Sequence, residues 1–357
     1  MRIPAEWEHQ SGVQLTWPHS DTEWYALDKV LECYVDIAIN ITEFEPLLIV
    51  CRDIEEAKSD ISRICHEKGL AFDFSRTVLC ESPLNDTWAR DHGGISVHGT
   101  NREKYLYDFV FNGWGLKFAS NLDNQITRNI FRQGVFEDDV MGVDMRPFVL
   151  EGGSIDTDGC GTLLTTTECL TSVNRNDYLT KEEIEGELKT AFGLDRVLWL
   201  DHGGIIGDDT DSHVDTLARF CSVDTIAYVQ CTDPDDPHYE ELGKMEDQLR
   251  CFRTAEGKRY RLVPLPMPDA LYLDDYRLPA SYANFLIVNG GVLLPGAGCP
   301  QDEVARERLQ EVFPDRKVVL IDCRALLSGH GSLHCVTMQF PDGWLRSEPD
   351  VMNKNRH

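Results

Sequence analysis

Hydrophobic and polar positions along the chain follow two periods, one helical and one of alternating strand type. The helical period predicts amphipathic helices near residues 54–68, 120–133, 180–193, 238–253 and 300–313, each starting about 60 residues after the previous one. A further helix near 22–40 precedes the series. Thr180, ahead of the acidic residues 182–183, is typical of a capping box at a helix start.

Short β-branched and aromatic runs between these helices predict strands at 47–51, 105–111, 162–166, 197–200, 225–230, 285–288 and 318–321. Helices and strands thus alternate in a ββαβ-type unit that is repeated five times. Because no unit can cover its own apolar face, we expect a pseudo-fivefold α/β propeller around a central active site. This predicts a single catalytic domain over 1–357, with five repeats and terminal extensions. An open doubly wound sheet is the alternative, but no GxGxxG or Walker A loop follows a strand.

The composition of the chain limits the functions and binding partners that we expect for the protein. The chain has 61 acidic and 34 basic residues, and its net charge of −27 disfavours nucleic acid and anionic membranes as partners and favours small cations. No apolar run approaches the roughly 20 residues that span a bilayer, and residues 1–7 lack the pattern of a signal peptide, so we expect a cytoplasmic protein. Twelve cysteines without a CxxC pair predict free thiols, no metal site and no cofactor. A homo-oligomer remains open.

Four polar residues follow the same period as the helices, and a fifth lies beside one of them. Glu151 follows Asp91 by 60 residues, His213 follows Glu151 by 62, and Cys335 follows His213 by 122, which is two periods. In a closed ring of repeats, residues at matching positions converge on the axis, and Asp215 joins His213 because a strand returns side chains to one face every two residues. Cys335 follows a glycine-rich loop, where a nucleophile is often mounted.

A thiol, an imidazole and three carboxylates in one pocket predict a guanidinium substrate, because its N–H pairs match carboxylates two at a time. A guanidinium carbon facing the Cys335 thiolate is set up for addition, and His213 can protonate the departing nitrogen and later activate water. Alternatives remain at this point. His213 and Asp215 as metal ligands would make a metallohydrolase, Cys335 alone could be an ordinary buried cysteine, and a propeller could bind cations without catalysis.

Two acidic stretches are candidates for a binding site for calcium or another metal ion. The run at 156–159 looks like the beginning of a calcium loop but lacks the remaining ligands, so we expect a hairpin turn. The run at 208–211 is interpreted as a solvated loop.

Several motifs resemble those of agmatine deiminases, within the guanidino-group-modifying superfamily that also holds arginine deiminases and the bacterial type of peptidylarginine deiminase. The motifs are Pro4-Ala5-Glu6-Trp7-Glu8, Trp17-Pro18-His19, Thr87-Trp88-Ala89-Arg90-Asp91, Glu151-Gly152-Gly153-Ser154-Ile155, 210–215, Ser281-Tyr282-Ala283-Asn284-Phe285 and His334-Cys335-Val336-Thr337. They extend over nearly the whole chain and are highly specific when taken together.

The resemblance implies a fivefold α/β propeller with Cys335 as nucleophile and His213 as general acid and base. It also implies that Asp91 and Asp215 grip the guanidinium, that Glu151 lies against His213, and that Trp88 lines the substrate pocket. The implied reaction converts agmatine to N-carbamoylputrescine and ammonia, on a route to putrescine. Arginine, free or within peptides, is the alternative substrate.

Three positions depart from the usual agmatine deiminase pattern. His92-Gly93-Gly94 stands where Thr-Gly-Pro is usual, Ser212 stands where Gly precedes the catalytic His, and the loop 329–332 has fewer glycines. We expect these changes to affect the rim of the site, and therefore the substrate, more than the chemistry.

Overall fold

The computed structural model describes residues 1–22 and 24–346, and within them it contains ten α-helices and eighteen β-strands. Glu23 and residues 347–357, which the predicted domain includes, lie outside the described residues. The helices are α1 (Leu27–Phe44), α2 (Ile54–Lys68), α3 (Ala89–His92), α4 (Gly113–Leu116), α5 (Ile126–Arg132), α6 (Thr167–Leu170), α7 (Lys181–Phe192), α8 (Tyr239–Cys251), α9 (Gln301–Val312) and α10 (Arg324–Leu327). Among the described helices, none combines the length and apolar character that crossing a bilayer requires.

The strands belong to five larger sheets and one short hairpin. They are β1 (Gln10–Thr16), β2 (Leu47–Cys51), β3 (Thr77–Glu81), β4 (Ile95–His98), β5 (Lys104–Val110), β6 (Val140–Val149), β7 (Ile155–Thr157), β8 (Thr162–Thr166), β9 (Arg196–Leu200), β10 (Ala218–Ser222), β11 (Thr225–Gln230), β12 (Arg261–Pro266), β13 (Tyr272–Leu273), β14 (Tyr276–Arg277), β15 (Leu286–Val288), β16 (Gly291–Gly296), β17 (Lys317–Asp322) and β18 (Thr337–Pro341).

Four sheets share one strand order: β4-β5-β6, β7-β8-β9, β10-β11-β12 and β15-β16-β17. In each, the first two strands are antiparallel and the last two are parallel, with a helix (α5, α7, α8 or α9) between the parallel strands. The remaining sheet has the order β18-β1-β2-β3, and β18 pairs antiparallel with β1. The end of the described chain therefore completes the sheet that the beginning of the chain starts.

Helices pack between neighbouring sheets. Leu188 of α7 shares an apolar cluster with Leu163 of its own sheet and with Tyr107 of the sheet before it. Helix α1 shares a cluster with Leu286 and Leu293 of the last sheet. The first unit thus contacts the last, and the apolar faces of α1 and α7 are covered by the sheets on both sides.

Local signals account for most element boundaries. The predicted capping box is confirmed at α7, where the Thr180 hydroxyl accepts the N–H of Glu183 and the Glu183 carboxylate accepts the N–H of Thr180. The predicted helix at 22–40 instead begins at Leu27, because the preceding residues form a turn in which Thr22 N–H donates to the carbonyl of His19 at 3.0 Å. The hairpin turn predicted at 156–159 is confirmed between β7 and β8.

Strand β18 offers a test of how much this closure contributes to stability. Phe340 is fully buried on β18, and its ring lies 5.3 Å from that of Phe136. Since Phe-to-Ala truncation leaves a cavity, we expect Phe340→Ala to lower the free energy of unfolding by about 3–5 kcal/mol in denaturant titrations. The control Tyr276→Ala removes a ring that is 75% exposed and should cost less than about 0.5 kcal/mol. Equal effects of the two variants would contradict a structural role for β18.

Candidate active site

The connections between successive sheets carry the polar residues of the site. They are Asp91 on α3, Glu151 ahead of β7, His213 and Asp215 ahead of β10, Asn284 ahead of β15 and Cys335 ahead of β18. The backbone N–H of Gly153 donates to Asp91 at 3.0 Å, and Asn284 approaches Cys335 to 3.3 Å, so side chains far apart in sequence meet. All five connections contribute to one buried cluster.

Cys335 is buried, two residues before β18 begins. Its Sγ lies 3.3 Å from Nδ2 of Asn284 and 3.9 Å from Oδ2 of Asp215. Burial raises the pKa of the thiol well above its ordinary value, and the charges of Asp215 and Asp91 raise it further against smaller opposing effects of Ser332 and Asn284. The thiol is therefore protonated in the free protein at neutral pH.

His213 is 1% exposed, and its Nδ1 lies 3.5 Å from Oδ1 of Asp91. Burial lowers the pKa of the imidazole, but the charge of Asp91 and the nearby Cys169 and Glu151 raise it by more, so that the net pKa lies well above the ordinary value. Within the described residues, neither ring nitrogen has a hydrogen-bond partner. The ring is thus positively charged at neutral pH and available to a ligand.

Asp91 accepts hydrogen bonds from the indole N–H of Trp114 at 2.9 Å and from the backbone N–H of Gly153 at 3.0 Å. Burial raises the pKa of Asp91 to about 6, and Asp215 adds to that effect while His213 opposes it. A Cβ at Gly153 would lie 2.6 Å from Nδ1 of His213 and 2.8 Å from Oδ1 of Asp91. Glycine at 153 is what allows this close approach.

Asp215 is fully buried, and its two oxygens have different surroundings. Oδ2 lies 2.7 Å from Nδ1 of His334, whereas Oδ1 has no hydrogen-bond partner within the described residues. Burial raises the pKa of Asp215, but the hydrogen bond and charge of His334 lower it by more, so the net pKa lies below the ordinary value. One oxygen is engaged by the protein, and the other is left for a ligand.

Glu151 is also fully buried, and Nε of Arg175 donates to its two oxygens at 3.0 and 2.9 Å. The same guanidinium donates to Asp211 at 2.6 Å and to the carbonyl of Thr210 at 2.9 Å. Arg175 therefore fixes Glu151 to the segment that leads into His213.

A cavity of about 560 Å³ reaches Cys335 from the surface. Its walls are mainly aromatic and acidic, and they include Trp24, Trp88, Trp114, Phe118, Asp21, Asp86, Asp91, Asp209, Lys117 and His330. A Cβ at Gly331 would lie 2.3 Å from the ring of Trp88, and one at Gly329 would lie 2.4 Å from the ring of Trp24. The glycines of this loop thus let it pack against two indole rings beside the thiol.

One group within the described chain has donor atoms placed to hold a metal: Glu151, Cys169 and His213, whose donor atoms lie within 4.8 Å of one another. The Arg175 guanidinium already neutralises Glu151, and a second cation at the same carboxylate would be repelled by it. Asp215, predicted with His213 as an alternative metal-ligand pair, does not belong to this group.

The structure brings all six predicted site residues together around the cavity or directly behind it. The sequence did not identify Asn284, Arg175, Trp114, Glu6 and His334 as site residues. A signal existed for Asn284, which lies two residues before β15 just as Cys335 lies two residues before β18. Arg175 carries no comparable signal, because it lies outside both the repeated positions and the motifs. Glu6 also lies outside the repeated positions, although it belongs to the motif at 4–8.

The three departures from the usual pattern have different structural outcomes. Ser212 has a φ of 66°, and His330 has a φ of 68°, so both occupy left-handed positions that favour glycine. His330 lines the cavity, as expected of the rim. For His92 the expectation was wrong: its ring is buried 6.1 Å from that of Phe111, and burial lowers its pKa to about 3.

The interpretation of 208–211 as a solvated loop was also wrong. Lys117 donates to the carboxylate of Asp211 and to the carbonyl of Asp209, each at 2.6 Å, and Asp208 accepts the N–H of Ser212 at 2.8 Å. Because Arg175 and Lys117 both attract this acidic run, it folds inward and forms part of the cavity wall.

Comparisons with known proteins identify relatives that match nearly the whole chain. A family model described as Porphyromonas-type peptidyl-arginine deiminase matches residues 2–341. Agmatine deiminase of Pseudomonas syringae pv. tomato is 34% identical to this chain over an alignment of 369 residues with gaps included, and the alignment covers 95% of each chain.

Two solved structures are similar over nearly the full chain. The putative arginine deiminase from Porphyromonas gingivalis has a TM-score of 0.90 and 49% identity, and the match covers 96% of this chain and 99% of that one. A cysteine-to-serine variant of C. jejuni agmatine deiminase with substrate bound has a TM-score of 0.85 and 36% identity, with 97% of each chain covered.

The ionisation of Cys335 can be tested directly. Because burial and two carboxylates keep the thiol protonated, iodoacetamide should label Cys335 slowly near pH 7, and a small cationic guanidine analogue should lower the thiol pKa. The measurement is the ultraviolet thiolate absorbance of wild type minus that of Cys335→Ser against pH, in which the exposed Cys160 and Cys251 cancel. A thiolate already formed by pH 6 without the analogue would contradict this and indicate a standing thiolate–imidazolium pair.

Proposed function

The chain belongs to the Porphyromonas-type peptidyl-arginine deiminase family, and from that membership we propose that it hydrolyses agmatine through a covalent adduct on Cys335. It is a hydrolase that acts on guanidino C–N bonds, as its agmatine deiminase relatives do. The proposed products are N-carbamoylputrescine and ammonia.

One observation supports this proposal above the others. Two buried carboxylates, Asp91 and Asp215, lie near the Cys335 thiol, and within the described residues neither forms an ion pair with a lysine or arginine. Only imidazoles face these carboxylates, His213 at Asp91 and His334 at Asp215, and the compensation is incomplete, because the pKa of Asp91 still rises to about 6 and Oδ1 of Asp215 has no hydrogen-bond partner within the described residues. A guanidinium adds positive charge with matching N–H geometry. The site is therefore electrostatically suited to a cationic substrate and unsuited to an anionic one.

The first half of the proposed reaction forms the adduct and releases ammonia. Substrate guanidinium offsets the carboxylates, so the Cys335 thiol releases its proton to solvent in the cavity and the thiolate adds to the guanidinium carbon. Protonated His213 then donates its proton to one amino group, the C–N bond breaks, and ammonia leaves. The product of this half is a positively charged S-alkylthiouronium held by Asp91 and Asp215.

In the second half, His213 is neutral and accepts a proton from a water molecule that attacks the thiouronium carbon. The C–S bond breaks, the hydroxyl proton passes to solvent as the C=O bond forms, and the electron pair of the C–S bond returns to Cys335 as a thiolate. His213 is again protonated, the ureido product leaves, and the thiol regains its proton once the substrate charge is gone. Glu151 supports His213 throughout, in the orientation that Arg175 fixes.

Agmatine is preferred over arginine because of the charges around the cavity. The wall carries four carboxylates, Asp21, Asp86, Asp91 and Asp209. Asp21 is paired with Arg52, and Lys117 is paired with Asp211, so the wall remains acidic through the other three. A second ammonium group at the far end of the substrate is therefore favoured, whereas a carboxylate would be repelled. Trp88 is proposed to pack against the apolar part of the substrate.

We further propose that residues 1–357 form one catalytic domain in which the five sheets surround a pseudo-fivefold axis. The pairing of β18 with β1, the packing of α1 on the last sheet and the five converging connections support this arrangement. A cytoplasmic location and a possible homo-oligomer remain predictions.

Substrate choice is tested by measuring ammonia release from agmatine, free arginine and a blocked arginine peptide side by side. We expect kcat/KM for agmatine to exceed that for arginine by about 10²-fold or more, since the arginine carboxylate would be buried without a partner. A higher value for the blocked peptide would indicate a peptidylarginine deiminase instead. Release from none of the three would contradict the proposed function.

Removing the charges and the nucleophile tests the mechanism. Asp91→Asn and Asp215→Asn should each lower kcat/KM by about 10³-fold, because both carboxylates stabilise the positive adduct. Asp138→Asn, at a carboxylate that is 93% exposed, is the matched control and should leave kcat/KM unchanged.

Cys335→Ser should abolish turnover, whereas treatment of the wild-type protein with EDTA should leave turnover unchanged. Activity that is lost with the chelator and restored by zinc would favour the metallohydrolase.

A further inference from the structure

His334, the residue next to Cys335, lies between two carboxylates. Its Nδ1 is 2.7 Å from Oδ2 of Asp215, and its Nε2 is 2.8 Å from Oε2 of Glu6. The ring is 2% exposed, and Glu6 comes from the N-terminal segment, far from the other site residues in sequence. Both ring nitrogens are thus occupied by buried acceptors.

The hydrogen bonds of this ring restrict its charge. A neutral imidazole has one N–H, so it can donate to only one of the two carboxylates and would present a lone pair to the other. An imidazolium donates to both, and charge-assisted hydrogen bonds of this length are the strong ones. Glu6 is ionised, because Arg219, His334 and Arg90 lower its pKa by more than burial raises it.

We propose that His334 is a permanently protonated positioning residue, which holds one oxygen of Asp215 and leaves the other to the substrate guanidinium. This role rests on the proposed function, since Asp215 binds substrate and His334 does not touch it. Oδ2 of Asp215 is shared by His334 and the thiol of Cys335, and Oδ1 has no partner within the described residues. Without the hydrogen bond from His334, neither oxygen of the carboxylate would be held in this orientation.

The charged groups around the His334–Asp215 pair come from every neighbouring element. Arg90 Nε donates to the carbonyl of His334 at 3.4 Å, and Arg219 donates to Glu6 at 2.8 Å. The full set of facing titratable or charged groups is Glu6, Arg90, Asp91, Asp156, His213, Arg219 and Cys335. This set contains both carboxylates and guanidinium groups. Removing the positive charge of His334 therefore leaves the negative charge of Asp215 less compensated.

Two substitutions separate the hydrogen bond from the charge. The amide nitrogen of Asn occupies nearly the position of the Nδ1 atom of His, so His334→Asn keeps a donor toward Asp215. The amide nitrogen of Gln is close to the position of Nε2, so His334→Gln keeps a donor toward Glu6 only. Both variants lack the positive charge.

The expected readout is the pH profile of agmatine turnover. In wild type the acid limb of kcat/KM should follow Asp91, whose pKa is about 6. Loss of the imidazolium favours the neutral form of Asp215 and raises its pKa, so the acid limb should become steeper and move at least one pH unit upward in both variants. We also expect kcat/KM at pH 8 to fall about tenfold in His334→Asn and about 10²-fold in His334→Gln, with a larger rise of KM in the latter.

His238 is the matched control. It is buried beside Asp236 at 2.7 Å, but its Nε2 accepts the backbone N–H of Ile206 at 2.8 Å, so its ring cannot be doubly protonated there. His238→Asn should leave the acid limb in place. An unchanged acid limb in both His334 variants, whatever their loss of rate, would show a merely structural role and overturn the proposal.

A measurement on the wild-type protein avoids any doubt about folding. Histidine-selective ¹⁵N labelling should show both ring nitrogens of His334 protonated at pH 7.5, whereas His238 should show one protonated and one bare nitrogen; the variants assign the signals. A bare nitrogen at His334 overturns the inference. This result does not depend on substrate, so an inactive protein with a doubly protonated His334 would contradict the proposed function alone.

Discussion

The site depends on keeping Asp91 and Asp215 ionised beside a buried thiol without a resident lysine or arginine paired to either within the described chain. Burying such charges is costly, and the protein offsets part of the cost with His213 and the N–H groups of Trp114 and Gly153 at Asp91, and with His334 at Asp215. The offset is incomplete, because the pKa of Asp91 still rises to about 6. A guanidinium completes the compensation, so the same electrostatic field that keeps the free thiol protonated becomes one that stabilises a thiolate and a positive adduct once substrate binds.

That field requires side chains from distant parts of the chain to meet at atomic contact, and the repeated topology provides the meeting point. Each sheet ends in a connection that reaches the same centre, and small residues let the connections approach one another. Glycine at 153 gives room to His213 and Asp91, and glycine at 331 gives room to Trp88. At Ser212 the connection is strained, because this residue has a left-handed φ of 66° that favours glycine. Its hydroxyl donates a hydrogen bond to Glu168 at 2.8 Å. The hydrogen bond offsets some of the backbone strain in the residue before His213.

Much of this arrangement could be predicted from the sequence, because repeats place equivalent residues at equivalent points. The period identified Asp91, Glu151, His213 and Cys335, and it missed Asn284 because the β13–β14 hairpin lengthens the connection before β15. The short strands β4, β7 and β10 were also missed, since Ser96, Asp156 and Arg219 interrupt their apolar runs, whereas the five-residue strand β2 is apolar throughout and was found. The acidic run at 208–211 was misread because its folding inward depends on Arg175 and Lys117, which are distant in sequence. Local patterns report local structure, whereas buried charge pairs depend on the tertiary fold.

The residues that the period could not find form a second layer of charge behind the first. Arg175 stands behind Glu151, and Glu6 stands behind His334, with Arg219 donating to Glu6 at 2.8 Å and lying 3.4 Å from Asp156. Outward from the carboxylates of the site, the Arg175 guanidinium and the His334 ring come next, and the carboxylates of Asp211 and Glu6 lie behind them. Since each layer is held by the next at hydrogen-bond distance, a change in the outer layer alters the ionisation of the inner one without contacting substrate. The N-terminal segment, which brings Glu6 under the last connection, is thus part of the electrostatics of the site as well as of the fold.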